Sequence, residues 1–298
     1  MSISKKILTF GCLLFASTSV PAKSLFTPDG ELSNGCIALC KALEIEVATP
    51  QEFNGCFQRC FLRKGEECYK DFNEKAKRNF GEFIAACNSL GMFEEVLPRR
   101  DSYDYIVILG GDTEPMERKC SFLKNELESI LANSPSVKIY FLAGARPLNW
   151  QTDSVALEWD LLEEGLELTE ANAAKLMWKN FFGRSPLQCD FVDVEIDPVS
   201  KKRPGTATMC RLLEEHAYPP GTMLLISVNP FIAYQDTVFR NIYEQKGWFA
   251  SGGSLETVGY GVDVDHYCQR SGVNFVVNVL LDTIAKRAFE EMKFWGGQ

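Results

Sequence analysis

The second half of the chain alternates short apolar runs with amphipathic stretches. Four continuous apolar runs of strand length predict strands buried on both faces, over residues 105–109, 137–142, 191–194 and 223–228. The amphipathic stretches between them predict helices over residues 115–132, 169–182 and 206–216. Because strands and helices alternate, the pattern predicts an α/β fold with a mostly parallel, doubly wound sheet.

The N-terminal region has helical periodicity instead, together with a twin Cys-x3-Cys pattern. Cys36 and Cys40 form the first pair and Cys56 and Cys60 the second, with 15 residues between the pairs. Four-residue spacing places both sulfurs of a pair on one helical face, and the intervening residues 49–52 have the sequence of a turn and a capping box. We therefore predict an antiparallel helical hairpin with disulfides joining Cys36 to Cys60 and Cys40 to Cys56. A four-cysteine metal site and a redox-active pair are the alternatives.

A third helix is predicted over residues 66–90, with Gly91 as its C-cap glycine. Cys68 and Cys87 lie roughly 28 Å apart along such a continuous helix, which is too far for a disulfide. Pairing stays open for six cysteines: Cys68, Cys87, Cys120, Cys189, Cys210 and Cys268. The stripe of Phe53, Phe57 and Phe61 at spacing four is expected to pack on the rest of the protein.

The first 22 residues have the pattern of a cleaved secretory signal peptide. Two lysines precede an apolar stretch over residues 7–20, and small residues stand at the cleavage positions before residue 23. No later segment has the length and apolarity to span a bilayer. We thus expect three parts: a signal peptide over 1–22, a cysteine-rich helical module over 23–100 and an α/β domain over 101–298.

Composition supports export and excludes several partners. Eleven cysteines favour an oxidising compartment, which makes a periplasmic or secreted protein the expectation. The net charge of −9 becomes more negative when the signal peptide removes two lysines, so nucleic acid is a poor partner. With only His216 and His266, a three-histidine zinc site is excluded, and we predict no metal site. The sequence specifies no cofactor.

Polar residues and glycines follow each predicted strand, where parallel sheets bind their ligands. The candidate ligand residues found in this way are Gly110, Gly111, Asp112, Gly144, Arg146, Thr206, Ser227 and Asn229. Glu195 and Asp197 after the third strand are candidates for a general base or for hard-cation ligands, with a solvent-facing strand end as the simpler reading. The glycine pair can bring backbone N–H groups to an anion or can simply form a tight turn.

The motifs in this order resemble the bacterial YdcF/SanA/ElyC-like family over residues 103–250. The resemblance rests on the glycines after the first two strands, on Glu170 opening a helix and on Thr206 ahead of another. It implies a Rossmann-like three-layer α/β/α fold, adds Glu170 to the candidate ligand and catalytic residues, and implies a role in cell-envelope integrity or envelope polysaccharide metabolism.

The chain departs from that family after the fourth strand. The family usually carries a His and, three residues later, an Arg; here those places fall near Phe231 and Tyr234. Thr208 and Met209 also stand where the family has Glu and Asn. Any chemistry that relatives perform with that His and Arg is therefore in doubt here.

Two functions from different classes follow. The first is an exported YdcF-like protein that binds a nucleotide-like or phosphorylated envelope metabolite, or an envelope glycan, at the carboxyl edge of the sheet and acts as a hydrolase or transferase. The second is a non-catalytic secreted interaction protein whose disulfide-stapled helical module binds a protein partner. A thiol oxidoreductase is a third option.

Overall fold

A computed structural model describes residues 23–62, 66–148, 165–183, 187–194, 205–214 and 219–295. Its N-terminal helices are α1 (Asn34–Ala42), α2 (Pro50–Phe57), a π-helical turn (Gln58–Leu62), α3 (Glu66–Arg78) and α4 (Phe80–Ser89). The later helices are α5 (Thr113–Asn133), α6 (Glu170–Phe182), α7 (Thr206–Glu214), α8 (Ile232–Gln245), α9 (Val264–Ser271) and α10 (Val273–Trp295). The strands are β1 (Tyr105–Leu109), β2 (Lys138–Gly144), β3 (Cys189–Val194), β4 (Thr222–Val228) and β5 (Ser254–Tyr260).

The five strands form one parallel sheet in the order β3-β2-β1-β4-β5. Successive residues of a strand face opposite sides, and β1 shows this directly. Ile106 and Ile108 join a core with α5 and α6, whereas Tyr105, Val107 and Leu109 join a second core with α7 and α8. Helices therefore cover both faces, and the predicted α/β fold with a parallel sheet is confirmed, in an arrangement consistent with a Rossmann-like fold.

The strand β5 was not predicted. Its sequence places Glu256 and Thr257 between apolar residues, which hides the strand from a search for continuous apolar runs. Both polar side chains are buried and paired: the hydroxyl of Tyr103 donates to Oε2 of Glu256 at 2.6 Å, and the hydroxyl of Thr257 donates to Oδ1 of Asp236 at 2.7 Å. The polar residues of this strand can be buried because hydrogen-bond partners from distant parts of the sequence satisfy them.

The predicted single helix over residues 66–90 is wrong, because the helix is interrupted at Asn79, between α3 and α4. Nδ2 of Asn79 donates to the carbonyl oxygen of Ala42 at 2.8 Å, which anchors the break on the C-terminal end of α1. The distance argument against a Cys68–Cys87 pair therefore does not apply. The end of α4 matches the prediction, since Gly91 has φ +74° and Met92 N donates to Cys87 O at 3.2 Å.

The predicted capping box is confirmed, whereas the predicted disulfide-stapled hairpin is not shown. The side chain of Thr49 accepts from Glu52 N, and the Glu52 carboxylate accepts from Thr49 N at 3.2 Å. However, α1 packs mainly on α4, while α2 and the π-helical turn pack mainly on α10. Each Cys-x3-Cys segment therefore packs mainly on another helix, although Cys40 lies near Cys56.

Neither predicted disulfide is formed. Cys36, Cys40 and Cys56 are free thiols, while Cys60 is disulfide-bonded, so neither Cys36–Cys60 nor Cys40–Cys56 is formed. Cys60 also lies in the π-helical turn, whose wider winding changes the angle between its sulfur and that of Cys56.

Helix α10 packs on the helical module as well as on α8 of the α/β domain. Helix α10 was assigned to the α/β domain, yet its residues Val276, Leu280 and Ile284 are fully buried in the same core as Phe53 and Phe57. The phenylalanine stripe thus packs as predicted, on α10. A small helical module has little interior of its own, so the C-terminal helix supplies part of it.

Several predictions fall on residues outside the described ranges: the signal peptide, Glu195, Asp197 and His216. Among the described residues, none of the helices has the length and apolarity needed to cross a bilayer.

Candidate ligand site at the carboxyl edge of the sheet

The strand order places a topological switch point between β1 and β4. From β1 the chain adds β2 and β3 on one side of the sheet, and β4 and β5 are then added on the other side. Connections leave β1 and β4 in opposite directions, which opens a crevice beyond their carboxyl ends. At this edge of the sheet, β1 has β2 on one side and β4 on the other.

On the β2 side, Glu170 organises the residues that follow the strands. Thr169 is the N-cap of α6, and this places Glu170 in the first turn with only 1% of its surface exposed. Its Oε1 accepts from Gly144 N at 3.3 Å and its Oε2 accepts from Arg146 Nε at 3.1 Å. Arg146 also donates from Nη2 to Oδ1 of Asp112 at 2.5 Å. One guanidinium therefore bridges two carboxylates.

Gly110 has a steric role in this network. A β-carbon at that position would stand 2.3 Å from Oε1 of Glu170 and 2.8 Å from the carbonyl oxygen of Leu142. Only glycine lets the carboxylate approach the end of β1 so closely. The structure thus brings together Gly110, Asp112, Gly144, Arg146 and Glu170, as the sequence predicted, but their charged groups already bind one another.

Lys119 of α5 completes this side. It is 2% exposed, and its Nζ donates to the carbonyl oxygens of Leu109 at 2.6 Å and Gly110 at 3.0 Å. The lysine thereby satisfies carbonyl groups that β1 leaves at its carboxyl end. Gly111, which follows Gly110 in the chain, has φ +151°, a conformation that favours glycine. It leads into α5.

On the β4 side there is an open pocket of about 480 Å³. It is bounded by the first turns of α5, the segments after β4 and β5, and helix α9. Its lining includes Glu114, Arg118, Asn229, Tyr260, Tyr267 and Arg270. Its volume and position are those of a small-molecule site in an α/β protein.

Two arginines share one carboxylate in this pocket. Nη2 of Arg118 lies 2.7 Å from Oε1 of Glu114, and Nη1 of Arg270 contacts Oε2 of the same residue. The guanidinium of Arg118 also lies 5.8 Å from the ring centroid of Tyr260. Two positive charges face one negative charge in this triad, and the second carboxylate that lines the pocket, that of Asp263, accepts hydrogen bonds from the backbone of α9.

The N-terminus of α5 adds to that field. Asp112 is its N-cap residue but makes no side-chain capping bond, because its carboxylate is held by Arg146. The positive end of a 21-residue helix therefore faces the β1–β4 crevice without a side-chain cap from Asp112.

Asn229, at the end of β4, contributes a buried amide. It is 3% exposed, its Nδ2 donates to the carbonyl oxygen of Glu94 at 2.5 Å, and its backbone N donates to Tyr260 O at 3.0 Å. Its Oδ1 has no hydrogen-bond partner within the described part of the chain. A buried acceptor without a donor is costly unless a water or ligand supplies one.

Helix α9 forms the outer wall. Asp263 is its N-cap, and Oδ1 of this residue accepts from the backbone N of Asp265 and His266. Burial, followed by the nearby carboxylates of Glu114 and Asp112, raises the pKa of Tyr267 to about 12. The phenol is therefore neutral at physiological pH and able to donate a hydrogen bond. His266, one of the two histidines of the chain, lines the pocket from α9.

Two predicted ligand residues lie away from the pocket. The hydroxyl of Ser227 is fully buried and bonds to Oε1 of Gln235. Thr206 hydrogen-bonds to Tyr234, a residue of the second core. Among the predicted ligand residues that the structure describes, only Asn229 lines the pocket.

Most of the pocket was missed because its wall depends on β5 and α9. Arg118, Tyr267 and Arg270 were not among the candidate ligand residues. The signal that could have located Tyr267 and Arg270 was an amphipathic helix directly after an unrecognised edge strand. Within the described ranges, no group of three or more His, Cys, Asp or Glu residues could hold a metal ion.

Comparisons with protein-family models, with curated proteins and with solved structures found no match to this chain.

Proposed function

We propose that this protein binds a small anionic metabolite, nucleotide-like or phosphorylated, in the pocket on the β4 side of the switch point. The observation that carries the proposal is that the guanidinium groups of Arg118 and Arg270 converge on the single carboxylate of Glu114. Guanidinium groups bind phosphate through parallel hydrogen bonds. The uncapped end of α5 favours the same sign of ligand charge.

The rest of the pocket supports a ligand with a polar, partly aromatic body. Asn229 offers a buried acceptor, Tyr267 offers a neutral hydroxyl, and Tyr260 presents an aromatic ring beside Arg118. A pocket of about 480 Å³ is large enough for a nucleotide or a sugar phosphate. The resemblance to the YdcF/SanA/ElyC-like family and the signal-peptide pattern extend the proposal to an exported protein with an envelope metabolite as ligand.

The proposal concerns binding. A hydrolase or transferase reaction would need a base or a nucleophile near the bound group. Glu170 is engaged with Arg146 and Gly144, and the candidates Glu195 and Asp197 lie outside the described residues.

Thermal unfolding in the presence of nucleoside phosphates and sugar phosphates tests the proposal. A ligand of the folded state raises the melting temperature in proportion to its occupancy. We expect a rise for the wild type, loss of the rise in Arg270→Gln, and an unchanged rise in Arg78→Gln, which alters an exposed arginine of α3 paired with Glu44. No rise with any of these compounds, or an equal rise in Arg270→Gln, contradicts the proposed site.

The second candidate, a protein-interaction role of the helical module, is favoured by one surface feature. Ile37 on α1 is 54% exposed, and Ala38 and Lys41 of the same helix line a groove of about 470 Å³ between α1 and α4. Deleting residues 23–97 is not a clean test, because it would uncover the apolar face of α10. Ile37→Ser is the better variant. If it no longer binds a purified protein partner but still binds the small ligand, the result supports this role. If it binds the partner as well as the wild type does, the result argues against it.

A further inference from the structure

We infer that Glu114 is an internal competitor for the anion site: its carboxylate occupies the place between Arg118 and Arg270 that the anionic group of the ligand takes. The inference rests on the proposed function and specifies how that site selects its ligand. The ligand class that follows is a phosphate ester or diphosphate, in preference to a carboxylate.

The geometry of the triad is that of a bound anion. Each oxygen of Glu114 is used by a different arginine, with Oε1 against Arg118 and Oε2 against Arg270. The arginines come from different helices, α5 and α9, so the carboxylate bridges the two walls of the pocket. A phosphate group placed between the walls would contact the same two guanidinium groups.

The triad is also exposed enough to be exchanged. The exposed fractions are 28% for the Glu114 side chain, 32% for Arg118 and 47% for Arg270. Ion pairs with this degree of exposure contribute little to stability and are broken easily. Glu114 is one turn from Arg118 on the same helix, so its side chain can rotate into solvent without moving the backbone.

Because the Glu114 carboxylate is tethered at the site, a ligand must bind the two arginines more strongly than this carboxylate does. A free carboxylate would make the same contacts as Glu114, but Glu114 is held in place at an effective concentration on the order of millimolar or higher. A free monocarboxylate therefore has little to gain by displacing it. A phosphate dianion carries more charge and three acceptor oxygens, so it gains additional charge-assisted hydrogen bonds from the two guanidinium groups.

The matched control is provided by the same helix. Glu117 is exposed, lies one turn along α5 and does not line the pocket. Glu114→Gln and Glu117→Gln remove the same charge, so a general electrostatic effect appears in both variants. An effect that comes from removing the carboxylate between the two arginines appears only in Glu114→Gln.

The experiment is a titration of the purified protein and both variants with inorganic phosphate and with acetate at pH 8 and constant ionic strength. The melting-temperature shift of each protein is measured against its own ligand-free value. We expect Glu114→Gln to bind phosphate about 3–10-fold more tightly than the wild type, as for removal of a weak surface pair with its tether. Acetate binding should become measurable in the same variant, and Glu117→Gln should match the wild type.

Three outcomes overturn the inference: unchanged phosphate affinity in Glu114→Gln, weaker affinity in it, or an equal gain in Glu117→Gln. Arg270→Gln separates these failures from failure of the proposed function. If the wild type responds to phosphate or nucleotides and Arg270→Gln does not, the site is correct and only the role of Glu114 is wrong. If the wild type and Glu114→Gln respond to none of these anions, the anion site itself is wrong.

Discussion

Arg287 and Glu291 form a buried ion pair one turn apart on α10, with 2.7 Å between Nε and Oε1. The pair holds the beginning of the described chain: Glu291 accepts from Leu25 N at 3.0 Å and from the hydroxyl of Ser24 at 2.7 Å. Arg287 donates to the carbonyl oxygens of Lys23 and Leu90. The segment that follows the predicted signal peptide is thereby fixed to the C-terminal helix.

This pair predicts a large stability difference between two substitutions on adjacent residues. Arg287→Leu leaves the Glu291 carboxylate buried without its cation, and we expect a loss of about 3–5 kcal/mol in the free energy of unfolding. Lys286→Ala removes an exposed pair with Asp282 on the same helix and should cost less than about 1 kcal/mol. Urea unfolding measures both, and equal effects would contradict the importance of the buried pair.

The contact between Gly110 and Glu170 predicts that a single methyl group is not tolerated. Gly110→Ala would place a β-carbon against Oε1 of Glu170 and against Leu142 O, so we expect a loss of about 1–3 kcal/mol. Gly81 in α4 has open space around its β-carbon position, and Gly81→Ala should be neutral or stabilising by about 0.5 kcal/mol. Chemical unfolding of the two variants tests the difference, and tolerance of alanine at residue 110 would refute the close approach.

The free thiols are expected to differ in reactivity. Complete burial raises the pKa of Cys87, and burial raises the pKa of Cys120 to about 12, so neither forms thiolate at neutral pH. Cys268 is partly exposed. Maleimide at pH 7.5, followed by mass spectrometry of the peptides, should label Cys268 in the native protein and the other two only after denaturation. Native labelling of Cys87 at the same rate would disprove this and would revive a thiol-redox role.

Tyr103 predicts a loss of stability in alkali. Burial and then the hydrogen bond to Glu256 raise its pKa above the usual value of about 10. A group with a raised pKa contributes stability that is complete below the unfolded-state pKa and is lost as pH rises toward the folded-state pKa. The free energy of unfolding should therefore fall above about pH 10 in the wild type and fall less steeply in Tyr103→Phe. Equal slopes in pH-dependent urea unfolding would exclude this contribution.

Local sequence patterns were sufficient where neighbouring residues decide the structure. The apolar runs of β1 and β4 are buried on both faces, and such runs are recognisable without any partner. The Thr49–Glu52 capping box and the Gly91 helix end depend on residues a few positions apart, and both were predicted correctly. The alternation of strands and helices then determined the parallel sheet.

Long-range packing decided the remaining features. The sequence placed both Cys-x3-Cys pairs on helices, but only the tertiary structure shows that α1 packs mainly on α4 and that α2 packs mainly on α10. Strand β5 carries Glu256 and Thr257, whose partners Tyr103 and Asp236 lie far away in the chain. Polar residues in a strand are stable only when such partners exist, and a local pattern does not contain them.

The candidate site shows the same division. The sequence by itself determined that glycines and charged residues follow the strands, and it brought Gly110, Arg146 and Glu170 to one edge. Only the tertiary structure showed that these charges neutralise one another, while the open pocket lies across β1 with Arg118 and Arg270. The reason is physical: strand ends are local, but whether a charge is paired or available depends on which distant side chain reaches it.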